Sequence, residues 1–175
     1  MSRASAAAWV AAFAALVVLA NFILEDSPAP TEKSSPAAKT ARTATVLRVV
    51  DGDTILVRGT GGRNERVRYI GVDTPESVKP NSPVECFGHE ASDFNKSLVQ
   101  GKRVRLVPDH EAEDKYGRSL AFVYVGDTLV QSELLRNGYA RTLEIAPNTS
   151  KAAYFAGLER VAIRTRKGLW RTCDR

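Results

Sequence analysis

The sequence predicts a mainly β fold of the α+β class: a small five-stranded barrel capped by about three helices, preceded by an apolar N-terminal helix. Three observations carry that expectation. Short apolar–polar alternations, broken by Gly- and Asp-containing turns, run from Thr45 to Val72 and again from Arg103 to Val125. Apolar residues at three- and four-residue spacing mark helices around Phe94 and Leu158, with a shorter one between them. Residues 4–24 carry no charge, roughly the length that spans a bilayer.

Arg3 precedes the apolar run, and Glu25 and Asp26 follow it. That asymmetry favours an inside N-terminus and an exported remainder. Val18-Leu19-Ala20 offers small residues to a signal peptidase, yet the run is long for the core of a signal peptide. Signal anchor and cleaved signal peptide therefore both stay open for residues 1–24, with the anchor favoured. Either one puts the rest of the chain outside the cytoplasm, held to the membrane if the helix is uncleaved and secreted if it is cut. Residues 25–42 are rich in Pro, Ser, Thr, Ala and Lys and lack aromatics, the composition of a disordered linker. Residues 43–175 remain for one folded domain.

Within that domain, residues 45–50 alternate as a strand, break at Asp51-Gly52-Asp53, and resume over 54–58. Gly59 to Asn64 reads as a hairpin loop and 65–72 as the third strand. Pro80 and Pro83 mark 77–85 as a loop. Ala91, Phe94 and Leu98 give a helix over about 88–100, with Gly101 suited to its C-terminal cap. Residues 103–107 form a strand, 109–115 a charged loop, and 117–125 another strand turned at Gly126-Asp127. A short helix over 130–136 ends at Asn137-Gly138, and 139–143 is the last strand. Residues 147–150 form a loop and N-cap ahead of a final helix over 150–167. Tyr154, Leu158 and Val161 lie on one face of that helix; Arg160, Arg164, Arg166 and Lys167 make a basic end. About five mostly antiparallel strands with short helices suggest an OB-type barrel, an architecture that often binds oligonucleotides.

The 175 residues suffice for one domain with a core. Against 20 Asp and Glu stand 25 Lys and Arg, a net charge of +5 that modestly favours polyanionic partners. With 2 His, a His-rich centre is excluded, and the 2 Cys lack zinc spacing. Outside the cytoplasm, an even pair favours a disulfide between Cys86 and Cys173, tying the C-terminal tail to the barrel; two separate thiols are the alternative.

The chemistry concentrates in Arg68-Tyr69-Ile70-Gly71-Val72-Asp73-Thr74-Pro75-Glu76. As a strand, it puts Arg68, Ile70 and Val72 on one face and Tyr69, Gly71 and Asp73 on the other. Pro75 ends the strand. A guanidinium, two carboxylates and a threonine oxygen thus gather where a strand becomes a loop. Hard cations bind oxygens and Arg neutralises phosphates, so the set points to phosphate-ester chemistry.

Two further motifs stand in order around it: Val50-Asp51-Gly52-Asp53-Thr54 before, and Asp114-Lys115-Tyr116-Gly117-Arg118 after. Together the three closely resemble the staphylococcal nuclease (thermonuclease) family, over about residues 45–170. The resemblance implies an OB-fold barrel and calcium-dependent hydrolysis of phosphodiester bonds in DNA and RNA, by a protein read as a monomer. By position it implies Asp53 and Asp73 as calcium carboxylates and Thr74 as a carbonyl ligand. Glu76 matches the residue that orients or deprotonates the attacking water. Arg68 and Arg118 match the pair on the reacting phosphate, and Lys115 and Tyr116 match substrate-side positions. Asp51 lies near that site in the family.

Each residue alone also has an ordinary reading. Asp51 and Asp53 suit a turn, Arg68 a solvated strand, Glu76 a loop, and Arg118 an ion pair with Asp114. Tyr116 suits packing, and His89 and His110 suit the surface. The alternative for the whole domain is a catalytically silent OB module that binds nucleic acid or protein; such a copy is expected to lose an Arg or a carboxylate, and none is missing. One departure from the family prototype concerns two tyrosines that cover the nucleotide. Here the region reads Leu143-Glu144-Ile145-Ala146-Pro147, about one residue shorter and without aromatics.

Overall fold

A computed structural model of the protein describes residues 40–77 and 83–173. The apolar segment 1–24 and nearly all of the linker lie outside the described residues, as do 78–82. Among the described residues, no helix is long and apolar enough to cross a membrane.

Alternation builds the barrel. Strands β1 (Arg42–Asp51), β2 (Thr54–Gly59) and β3 (Asn64–Tyr69) form an antiparallel meander. The residues facing inward from it include Val46, Ile55, Val57 and Val67, each at most 1% exposed. Two register shifts, between Val46 and Arg48 and between Val49 and Asp51, bend β1. Its first four residues, from Arg42 to Thr45, can thereby pair with β5 (Arg103–Val107) while Ala44 to Asp51 pair with β2. That pairing draws β1 back to Arg42, so the folded chain begins within the stretch read as linker. β5 pairs with β6 (Ser119–Val125), and β6 runs parallel to β3 from Val67↔Ser119 to Tyr69↔Ala121. This contact closes five strands into a barrel and leaves no open edge between them. The two-residue β7 (Thr128–Leu129) extends the β6 hairpin. A closed five-stranded barrel with peripheral helices is the OB arrangement.

The helices seal it. In α1 (Gly88–Val99), Ala91, Asn95 and Val99 are buried. In α2 (Val130–Arg136), Val130, Leu134 and Leu135 are. Fully burying an aliphatic or phenyl side chain contributes about 1.5–3 kcal/mol.

Three expectations need correction. The third strand does not run to Val72. It stops at Tyr69, turns through Gly71 at φ 81°, and resumes as the two-residue β4 (Val72–Asp73), paired with β8 (Arg141–Thr142). The predicted 139–143 strand shrinks to β8 because Tyr139 turns away to stack on Phe94, centroids 4.0 Å apart. The last helix, α3 (Ala152–Arg164), buries Phe155 and Ala162. Tyr154 and Val161, from the apolar face read in the sequence, are 50% and 38% exposed. The reason is local: a Cβ on Gly71 would meet the Phe155 ring at 2.6 Å, so the bare glycine is the seat for that ring and sets the helix's rotation.

A short helix beyond those predicted, α4 (Leu169–Thr172), ends against the bridge between Cys86 and Cys173, whose Cα atoms are 5.9 Å apart. A cross-link over a sequence separation of 87 ideally contributes on the order of 4 kcal/mol.

Candidate active site

The break between β3 and β4 makes the site. On a continuous strand, Arg68 and Asp73 would face opposite ways. Turning at Gly71 swings Asp73 back, and Arg68 Nη2 meets Asp73 Oδ1 at 2.9 Å. The same nitrogen lies 3.1 Å from Asp53 Oδ2. Arg68 Nη1 donates to the carbonyls of Tyr69 and Val72, at 2.9 and 2.7 Å. One guanidinium therefore caps the irregular backbone and bridges two carboxylates.

Asp53 comes from the turn between β1 and β2. Gly52 is required there, because a Cβ would sit 2.6 Å from Thr74 Oγ1. Thr74 presses on that turn and donates both its N–H (3.0 Å) and its hydroxyl (3.1 Å) to Asp53 Oδ2. Thr54 Oγ1 donates to Asp53 Oδ1 at 3.0 Å. Asp53 and Thr74 are thus 5% and 7% exposed yet fully partnered.

Asp51 stands beside this pair. Its carbonyl accepts from Asn95 Nδ2 at 3.2 Å, and Asn95 Oδ1 accepts from the buried Tyr69 hydroxyl at 2.9 Å. Burial pushes the Asp51 carboxyl up to about 6, helped by its hydrogen bond to Glu76; the Ser77 hydroxyl and Gly52 N–H oppose the rise. Ser77 Oγ donates to Asp51 Oδ1 at 2.6 Å.

Arg118 arrives from the far side, at the start of β6. Asp114 organises its loop by accepting from the N–H groups of Tyr116 and Arg118, both at 2.9 Å, and from Arg118 Nε at 2.7 Å. Burial works against the Asp114 carboxylate, but these hydrogen bonds outweigh it and hold its pKa below the usual range. The ion pair anticipated for Arg118 exists, and it engages Nε, leaving the terminal nitrogens of the fork for another partner.

Asp51, Asp53, Asp73, Thr74, Glu76, Arg68 and Arg118 all line one open cleft of about 510 Å³. Lys115 and Tyr116 do not. They line a neighbouring cleft of about 500 Å³ that Arg68 and Arg118 also border. Tyr116 does not pack inward: it is 73% exposed, with the Arg118 guanidinium 5.6 Å and Lys115 Nζ 5.1 Å from its ring centroid. His89 and His110 are both exposed, and neither lines either cleft.

Residues 66–172 match the family of staphylococcal nuclease homologues. The chain belongs to the staphylococcal nuclease family. It is similar to the thermonuclease of Staphylococcus intermedius, 38% identical over 170 residues that cover 97% of this chain and 99% of that protein. The thermonuclease of Staphylococcus hyicus is 39% identical over 158 residues, 90% of this chain and 92% of the other. Endonuclease YncB of Bacillus subtilis is 43% identical over 128 residues, 72% of this chain and 60% of that one.

As a staphylococcal nuclease homologue, the chain invites the question whether its cleft suits a hard cation. Among the described residues, no three His, Cys, Asp or Glu side chains form a cage of their own. The donor chemistry fits nonetheless. Asp53, Asp73 and the Thr74 main chain offer only oxygen, and such ions accept carbonyls and waters beside two carboxylates. Burial raises the Asp73 pKa. Arg68 opposes this, while Asp53, Glu85 and Glu76 add to it. Three acidic side chains thus stand near Asp73, and a cation bound there would relieve their mutual repulsion.

Sequence reasoning missed two members. Arg66 lines the cleft beside Arg68, and its equal strand parity was the available signal. Glu85 holds the main chain of Glu76, accepting from its N–H at 3.1 Å and donating its own N–H to the Glu76 carbonyl at 2.9 Å. Nothing in the local sequence marks that contact. The missing tyrosines leave a changed wall: Ile145, 62% exposed, and Ala146 face the Tyr116 cleft, whereas Glu144 does not line it.

Proposed function

We propose that this chain is an extracytoplasmic, calcium-dependent nuclease that hydrolyses phosphodiester bonds in DNA and RNA. The observation that carries the reading is the convergence of Arg68 and Arg118 with Asp53, Asp73 and Glu76 on one cleft. Membership of a family whose relatives are named thermonucleases and endonucleases supports it. The calcium requirement rests on the oxygen donor set and the charge around Asp73.

Asp53, Asp73 and the Thr74 carbonyl would hold the ion. When bound, calcium neutralises the carboxylates that otherwise repel a phosphate and draws charge from its oxygens. Both arginines flank the cleft: Arg118 offers the terminal nitrogens of its planar fork to the phosphoryl oxygens, and Arg68, whose terminal nitrogens are held by carbonyls and carboxylates, places its positive charge beside them, where negative charge grows in the transition state. Arg118 is held in that pose through Nε by Asp114. Glu76 takes the proton of the attacking water, a role typically worth about 10²–10⁴ in rate. Tyr116 and Lys115, beside the two arginines, border the cleft that receives the adjoining nucleoside.

The test separates chemistry from binding. Arg118→Ala and Glu76→Gln should fold normally and bind oligonucleotide within about tenfold, while hydrolysis falls by roughly 10² or more. Wild-type rates in Arg118→Ala would mean the site is misassigned. Tight oligonucleotide binding with no cleavage by the wild type would favour the silent module.

A further inference from the structure

We infer that the Cys86–Cys173 bridge and the Glu85 carboxylate together form a strap that positions Glu76 for proton transfer; this rests on the reading of Glu76 as the general base. Glu76 follows β4 within residues 74–77, which carry no regular secondary structure, so no ladder fixes its direction. Its main chain is held instead at both polar groups by one residue. Glu76 N–H donates to Glu85 Oε2 at 3.1 Å, and Glu85 N–H donates to the Glu76 carbonyl at 2.9 Å. Gly88 closes on the same carbonyl: a Cβ there would stand 2.5 Å from the Glu76 oxygen.

The segment that does the holding makes one local turn, with Gly88 N–H donating to the Glu85 carbonyl at 2.9 Å. The residue ahead of α1, Phe87, is left-handed at φ 73° and offers no side-chain cap. The segment's covalent anchor is Cys86, joined to Cys173 at the end of α4. That helix is itself rooted. Leu169 is 1% exposed and donates its N–H to the Gly138 carbonyl at 2.9 Å, at the end of α2. Cys173 N–H donates to the Leu169 carbonyl at 2.8 Å. A continuous path thus runs from Leu169, through the bridge, to Glu85 and the peptide of Glu76. The Phe87 ring also leans on Tyr139, centroids 5.3 Å apart, so cutting the bridge should loosen the segment rather than unfold it.

The test compares four variants with wild type in cleavage kinetics and in amide exchange at Glu76. Glu85→Ala and the double variant Cys86→Ser/Cys173→Ser should each lower kcat roughly tenfold with KM nearly unchanged, since misplacement by about 1 Å can cost as much as 10². Exchange at the Glu76 amide should quicken at least about tenfold in both, because the anchoring bond opens locally. Glu85→Gln keeps an acceptor oxygen at the same place and should retain wild-type kcat and exchange. Combining Glu85→Ala with the cysteine changes should cost less than the product of the two, as for groups acting through one contact. Unchanged kcat and unchanged Glu76 exchange in the folded double variant would overturn the strap. A Glu85→Gln protein as impaired as Glu85→Ala would also overturn it, because charge rather than anchoring would then be the cause. If Glu76→Gln itself cleaves like wild type, the general-base reading fails, and the exchange at Glu76 alone then decides whether the strap exists.

Discussion

The guanidinium of Arg68 reaches two backbone carbonyls and two carboxylates at once. A lysine has no planar fork to span that geometry. Arg68→Lys should therefore lose both phosphate contact and loop support: activity should fall by roughly 10² or more, as for Arg118→Ala, and the melting temperature should drop as well. A Tm unchanged from wild type would show that the carbonyl contacts are dispensable. Asp114 makes a second residue-scale prediction. Its pKa is lowered in the fold, so its contribution to stability is present above the unfolded value and is lost as pH falls through the folded one. Asp114→Asn should melt a few degrees below wild type at pH 7, and the gap should narrow towards pH 3. An equal gap at both pH values would mean that the hydrogen bonds to Arg118 and Tyr116 do not favour the charged form. At this scale most of the site was legible, because three short motifs in fixed order bring its charged residues together. Glu85 was not, since its role lies in a main-chain contact that no residue pattern encodes.

At the scale of the element, Gly71 governs both the strand break and the seat of Phe155. Gly71→Ala combines a left-handed φ with a clash against an aromatic ring. It should destabilise the domain by about 2–4 kcal/mol, in the range of strain plus overpacking. It should also weaken calcium affinity by shifting Asp73. Denaturant unfolding and calcium titration check both, and loss of stability alone would separate the ring's seat from the metal site. Alternation was most readable in β5, which buries one face of the barrel, whereas β6 buries Ala121, Phe122 and Val123 in a row because Phe122 is covered by Phe155. The period of the segment after Tyr69 was not readable, because a single positive φ flips every later side chain. The same contact explains the rotated face of α3, where Phe155 rather than Tyr154 finds the gap. The loop at Ile145 belongs here too. Ile145→Tyr, facing the Tyr116 cleft, should tighten binding of a nucleoside bisphosphate by about 1–3 kcal/mol if stacking is what that wall lacks. An unchanged dissociation constant, with the fold intact, would mean that the loop does not cover the base.

At the scale of the whole molecule, the pieces depend on one another. The barrel aims Arg68 and Arg118, the break supplies Asp73, and the bridged C-terminus reaches back to the loop of Glu76. The uncharged N-terminal run predicts that the folded domain is exported; protease added to intact cells should degrade it, and full protection would argue for a cytosolic protein. The central claim is that the cleft is a calcium-dependent phosphodiesterase centre. The most direct measurement is cleavage of single-stranded DNA by the purified protein at alkaline pH, with calcium or with a calcium chelator, followed alongside circular dichroism. The account predicts cleavage in calcium, its abolition by chelator with the spectrum unchanged, and its return on adding excess calcium. Cleavage indifferent to the chelator, or no cleavage by folded protein in saturating calcium, would contradict it.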